Sequence, residues 1–261
     1  MSYISKKVYY ELKDNFSFRL ALAKYEFAKR YVFDKFVLDA GCGARRGPWI
    51  LAQMAKKVIG VDYSPKAIEY AKRHFPKDNL EYKVMDCCDL NFTDNTFEVV
   101  VSLEVIEHIK DQRRYLYEMH RVLKPGGLYI GSTPNKRPAL PRRGQIFHHG
   151  HIKELTLEQY RQLLSSYFAQ VDIYGQSLIV NVVGKFDEMK RFLAKLDILG
   201  LRYLVPIKIK DWVLGRVQAK VAPLTGAVSR DKITEADFEI SKLNLELNLE
   251  KCTNLIALCR K

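Results

Sequence analysis

Apolar positions along the chain follow two alternating rhythms, one helical and one of short continuous runs. Leu20, Ala23, Phe27, Ala28 and Tyr31 recur at helical spacing and predict an opening helix over 17–33. Phe36-Val37-Leu38 is a short run without a polar face, which predicts a buried strand. Residues 48–56 predict a helix, with Pro48 in a first turn that needs no N–H from it. Residues 57–62 form the second strand. Ser64 and Pro65 then carry the N-cap and first-turn signals of a helix reaching Phe75. Leu80–Met85 and Phe97–Leu103 read as strands three and four. A helix over 111–123 stops before Pro125-Gly126-Gly127, and Leu128–Ser132 is strand five. Thr156 caps a helix to Tyr167, while Ala169–Tyr174 and Asn254–Cys259 are strands six and seven. Apolar strands alternating with helices predict an α/β fold, with a mainly parallel sheet covered on both faces.

The rhythm breaks between 184 and 245. Phe186, Met189, Phe192, Leu193 and Leu196 make one helical face, with Lys185, Lys190, Arg191 and Lys195 elsewhere. Residues 207–217 mix Lys and Arg with Trp212, and 223–237 reads as a loop. The chain therefore divides into a core over 1–183, a helical insertion over 184–245 and a return to the core over 246–261. The insertion suits either a lid or a basic amphipathic surface for an anionic membrane.

Composition narrows the class. A chain of 261 residues that is 48% hydrophobic can bury a full core, which excludes general disorder. No apolar run reaches the roughly 18–20 residues of a membrane span. The start has no apolar signal-peptide segment, so the expected location is cytoplasmic, with peripheral membrane contact left open. Five cysteines without a C-x-x-C pair argue against a disulfide framework and a cysteine zinc site. A formal charge of +13 favours acidic partners such as nucleic acid, nucleotide-sugar or anionic lipid, or serves solubility alone.

Candidate chemistry begins after strand one. Gly41 and Gly43 let a backbone approach a ligand closely and present amide donors. Asp62, at the end of strand two, is placed to accept ribose hydroxyls. A dinucleotide site would share these features. Asp39 before the first glycine, and Gly47 one residue late for the dinucleotide spacing, point away from that. Past strand four, Glu104-Val105-Ile106-Glu107-His108 lies at the mouth of the sheet. Two carboxylates and an imidazole there could hold Mg²⁺. His108 or His151 could instead act as a metal-free base, and His148, His149 and His151 form a later cluster.

The motifs in order resemble those of class I S-adenosylmethionine-dependent methyltransferases, in the type 11, ubiquinone O-methyltransferase-like branch. Val37–Gly43 is similar to the first motif, 58–64 to the acidic-strand motif, and Met85-Asp86-Cys87 to the adenine segment. Phe97–Ile109 and Arg121–Gly127 resemble the strand-four motif and the loop before strand five. Ala44-Arg45-Arg46-Gly47 departs from the pattern. The resemblance implies a three-layer Rossmann-like sheet of seven strands, ordered 3-2-1-4-5-7-6 with strand seven antiparallel. It implies S-adenosylmethionine as cofactor, bound by the backbone of Gly41, Cys42 and Gly43, with Asp39 and Tyr25 in the same set. Asp62 would hold the ribose, Tyr63 would lie on the adenine, and Asp86 and the Cys87 amide would read its edge. The Leu103 carbonyl would sit near the methionine amino group. The E-x-x-E-H string is similar to the metal site of ubiquinone-pathway and small-RNA 2′-O-methyltransferases. That implies Glu104, Glu107, His108 and His151 as a metal set, and Glu107, His108 and His151 as catalytic residues. Lys24–Ala28, Ser132–Asn135, His151 and Tyr174-Gly175-Gln176 resemble a branch linked with cell-surface saccharide synthesis. A saccharide, lipid-linked saccharide or other small-molecule acceptor is therefore expected. A Mg²⁺-dependent RNA 2′-O-methyltransferase and a non-catalytic S-adenosylmethionine-binding protein remain as alternatives.

Overall fold

A computed structural model of the protein describes residues 16–136, 150–178, 238–242 and 252–261. His148, His149 and most of the expected insertion lie outside the described residues. The elements are α1 (Phe16–Lys29), β1 (Phe36–Ala40), α2 (Gly47–Leu51), β2 (Lys57–Asp62), α3 (Pro65–His74), β3 (Leu80–Val84) and β4 (Phe97–Leu103). After a 3-10 turn (Ile106–His108) come α4 (Gln112–Val122), β5 (Leu123–Pro134), α5 (Leu157–Ser165), β6 (Gln170–Leu178), β7 (Phe238–Lys242) and β8 (Asn254–Arg260).

Local chemistry explains the boundaries. The Ser64 hydroxyl accepts from the Ala67 amide, and Lys72, Arg73 and His74 complement the negative end of α3. Thr156 and Gln159 form a reciprocal capping box at α5. Residues 48–56 shorten to a single turn, Gly47–Leu51.

The sheet runs β3-β2-β1-β4-β5-β8-β6-β7. β1 to β5 pair in parallel, and β8 is antiparallel to both β5 and β6. The expected order holds for seven strands, but the sheet has eight among the described residues. β7 falls inside the span expected to be a helical insertion and pairs antiparallel with β6, from Tyr174–Lys242 to Leu178–Phe238. β6 runs on past Tyr174 and offers an edge, and Phe238 and Ile240 alternate with Glu239 and Ser241 to suit it. β5 starts at Leu123 rather than Leu128. Leu123 pairs Phe97, and the register then slips before Val99 meets Leu128, with Gly126 at φ +73° in the excursion.

Two apolar clusters fill the two faces. One packs Tyr115, Leu116 and Met119 of α4 with Tyr160 and Leu164 of α5. The other packs Leu22, Tyr25 and Phe27 of α1 with Ile50, Leu51 and Ile68. No helix among the described residues is long and apolar enough to cross a membrane.

Candidate active site

The loop after β1 is built almost wholly from backbone. The amides of Gly41 and Cys42 donate to the Val61 carbonyl at 2.8 and 2.9 Å. Gly41 sits at φ +81° and Gly43 at φ +60°, the left-handed region that glycine reaches without penalty. A β-carbon on Gly41 would collide with the Val105 side chain. One on Gly43 would meet nothing within 4 Å, so its face opens to a ligand. Gly47, the glycine of the departing segment, lies beneath the Tyr25 ring, which leaves no room for a side chain.

Asp62 ties this loop to β2. Its Oδ2 accepts from the Gly43 amide and its Oδ1 from the Ser64 amide, both at 2.9 Å. Each oxygen keeps acceptor capacity for a ribose hydroxyl. Tyr63 beside it is 80% exposed, an aromatic face available to a flat ligand. Across the edge, Asp86 is exposed and takes the Cys88 amide at 2.8 Å, while Cys87 is buried. Leu103 is buried, paired with Ser132 at the end of β4.

Asp39 is fully buried beneath the loop. The Tyr25 hydroxyl donates to Oδ1 at 3.3 Å, whereas Oδ2 has no partner among the described residues. Burial raises its carboxyl to about 8; the Tyr25 hydrogen bond opposes that shift and the Asp62 charge adds to it.

On the other side of the mouth stands Glu104, at φ +59°. A glutamate in that region costs about 1–3 kcal/mol unless its surroundings hold it there. Its surroundings are dense. Lys24 Nζ lies 2.9 Å from Oε1, the Ser132 hydroxyl donates to Oε1 at 2.8 Å and Asn254 Nδ2 donates to Oε2 at 2.7 Å. Burial would raise this carboxyl, but Lys24, the Ser132 hydrogen bond and the nearby His151 hold it below the usual range.

Glu107, His108 and His151 each bring one potential ligand atom within 4.8 Å of the others. The strap at 150–153 makes this possible. The amides of Ile152 and Lys153 donate to the Glu107 carbonyl at 2.8 and 3.1 Å, and Gln112 Nε2 bridges the carbonyls of Ile106 and Lys153. The two imidazoles meet edge to face, centroids 4.8 Å apart. His108 Nδ1 faces the Gly150 carbonyl at 2.9 Å and His151 Nδ1 faces Glu154 Oε1 at 2.6 Å. Carbonyl and carboxylate oxygens accept, so Nδ1 carries the hydrogen in each ring and the neutral ring keeps its lone pair on Nε2. Glu107 is fully buried. Thr133 Oγ1 donates to its Oε2 at 3.4 Å and Oε1 has no partner among the described residues. Burial, then the Glu104 charge, pushes its carboxyl well up.

The four residues expected to form a metal set are thus separated. Three converge, while Glu104 is held by Lys24, Ser132 and Asn254. Two imidazoles and one carboxyl offer Mg²⁺ fewer hard oxygen ligands than it prefers, and suit a borderline divalent cation as well. Lys24, Ser132, Asn254 and Glu154 were absent from the sequence-derived site set. Lys24 carried a usable signal, because it falls on the apolar stripe of α1 beside Leu20, Ala23 and Phe27.

Comparison with known proteins follows the same lines. A family model described as a methyltransferase domain matches residues 38–131. A probable S-adenosylmethionine-dependent methyltransferase of Mycobacterium tuberculosis is 33% identical over 247 residues, covering 94% of this chain and 84% of that protein. A Mycolicibacterium smegmatis relative of similar description is 31% identical over 154 residues, and the match covers 59% of each chain. A ubiquinone biosynthesis O-methyltransferase of Cereibacter sphaeroides is 36% identical over 104 residues, 39% of this chain and 42% of that one. Among solved structures, a phosphoethanolamine N-methyltransferase of Haemonchus contortus in complex with S-adenosyl-L-methionine aligns with a TM-score of 0.57. At 19% identity it covers 90% of this chain and 51% of that one, a likeness of fold.

Proposed function

Because the chain belongs to the S-adenosylmethionine-dependent methyltransferase family, we propose that it methylates a hydroxyl oxygen of a small acceptor, a saccharide or lipid-linked saccharide, with His108 as the base. The observation that carries this reading is the Nδ1-anchored imidazole of His108 at the sheet mouth, its lone pair left on Nε2. The partial match to an O-methyltransferase supports the choice of oxygen.

The chain's residues fit the methyl donor. The open face at Gly43, the spare acceptor capacity of Asp62 and the exposed Tyr63 ring offer it polar and aromatic contacts. S-adenosylmethionine supplies a methyl group already activated on a sulfonium, so the protein's task is alignment and proton management. Gly41–Gly43 and Asp62 hold the donor's polar half. His108 Nε2 takes the hydroxyl proton as the oxygen–carbon bond forms. Glu107, buried and within reach of both imidazoles, positions them rather than touching the acceptor. His151, braced by Glu154, shields and steadies the His108 ring. No step requires a metal. The expected membrane-facing surface at 185–217 lies outside the described residues.

The test is an acceptor screen with methyl-labelled S-adenosylmethionine, with and without chelator and with added Mg²⁺. Free saccharides, lipid-linked saccharides, phenols, amines and RNA serve as acceptors. Chelator-insensitive label in saccharide hydroxyls is expected. Label confined to RNA, or to amines, overturns the reading.

A further inference from the structure

Lys24 is 1% exposed, yet the methyl-transfer chemistry does not use it. Its ammonium meets Glu104, a residue whose backbone is held in the left-handed region that favours glycine. A conformation of this kind persists only where its surroundings over-determine it. Here they do so from three elements. Lys24 comes from α1, Ser132 from β5 and Asn254 from β8. The Glu104 amide also donates to Ser132, to the carbonyl and the hydroxyl oxygen, each at 3.1 Å.

The neighbours of this ion pair are parts of the donor site. Next to Lys24, Tyr25 covers Gly47 and donates to Asp39. Next to Glu104, Val105 fills the space against Gly41. The ring over Gly47 and the valine over Gly41 therefore bracket the glycine loop from two sides, and one ion pair joins the two sides. One turn earlier, α1 is held separately, by Gln176 Nε2 donating to the Leu20 carbonyl at 3.0 Å.

We propose that Lys24 and Glu104 are positioning residues for the donor: their ion pair latches α1 to the turn after β4, so that Tyr25 and Val105 hold the glycine loop in its binding form. Neither residue needs to touch S-adenosylmethionine. The proposal rests on the donor reading above, and binding alone tests it, without knowledge of the acceptor.

The experiment is calorimetric titration of the full chain with S-adenosylmethionine, alongside thermal melting. Lys24→Met keeps the buried stem and removes the charge, and Glu104, 29% exposed, can take water in exchange. We expect affinity to fall about tenfold or more with the melting temperature nearly unchanged, and Lys24→Arg to stay within about threefold of wild type. In the pair Lys24→Met and Tyr25→Leu, which removes the ring over Gly47, the double variant should lose less than the product of the two single losses, since both act through one bracket. Lys24→Met with Glu104→Gly relieves the strain and removes the carboxylate that has lost its cation. It should fold at least as well as Lys24→Met and still bind weakly.

Wild-type affinity in a folded Lys24→Met variant overturns the proposal. So does a melting temperature that drops in step with affinity across all variants, which makes the pair a folding element. Independent, multiplicative losses for Lys24 and Tyr25 overturn it as well. Failure of the wild-type protein to bind S-adenosylmethionine strikes the donor reading instead.

Discussion

The two halves of the sheet mouth are built by different means. On the β1–β2 side, the donor loop is shaped by backbone: glycine torsions, amides on Val61, and a carboxylate that accepts two amides. Its contacts are short in sequence, 19 residues from Gly43 to Asp62. On the β4–β5 side, the mouth is assembled from side chains that arrive from far apart. Ser132 reaches Glu104 over 28 residues, Gly150 reaches His108 over 42 and Asn254 reaches Glu104 over 150. A backbone-built site serves a constant ligand and tolerates little change. A side-chain-built site can be altered one residue at a time, which is where acceptor choice can vary on a shared donor scaffold.

The largest test of this contrast is Asp62→Ala. It removes the ribose acceptor and leaves the Gly43 and Ser64 amides without their partner. S-adenosylmethionine affinity should fall about a thousandfold, some 4 kcal/mol by calorimetry; near-normal binding would erase the distinction between the two sides. Next is His108→Ala, with labelled methyl transfer down about a hundredfold and donor affinity within threefold. Equal losses of binding and turnover would mean that the two sides are one site. Gly47→Ala should weaken the donor about tenfold, because the new methyl displaces Tyr25, and should not change the pH dependence of transfer.

The smallest effect is on stability against pH. Asp39 is raised by burial to about 8, and Glu107 is raised in the same sense. In the unfolded chain both ionise near pH 4. Between there and about pH 8 the folded state holds protons that the unfolded state has released, so apoprotein stability falls as pH rises across that window. Asp39→Asn should flatten the decline by a few degrees of melting temperature and weaken S-adenosylmethionine at neutral pH. A flat profile for the unmodified protein would place Asp39 in a wetter setting than its burial indicates.

Much of the donor half was legible because local rules govern it. Pro65 after Ser64, glycines at forced torsions and an acid at a strand end each have a reason within a few residues. The acceptor half was legible only as a set of candidates. Nothing local says that Glu104 turns toward Lys24 while Glu107 turns toward His108 and His151, since that choice depends on Asn254 and Ser132. β7 was missed for another reason. Phe238-Glu239-Ile240-Ser241-Lys242 alternates as a strand should, but five residues inside a span dominated by helical spacing are a weak signal until β6 extends to meet them.

The place of β8 between β5 and β6 bears on the order in which the molecule becomes competent. Until that strand arrives, β5 has an unpaired edge, Glu104 lacks Asn254, and the left-handed turn has lost one of its restraints. Closing a contact over 150 residues is entropically the hardest part of assembly. The turn against which the donor loop is braced is therefore completed by the last strand to arrive, so donor binding and acceptor face mature together rather than in turn.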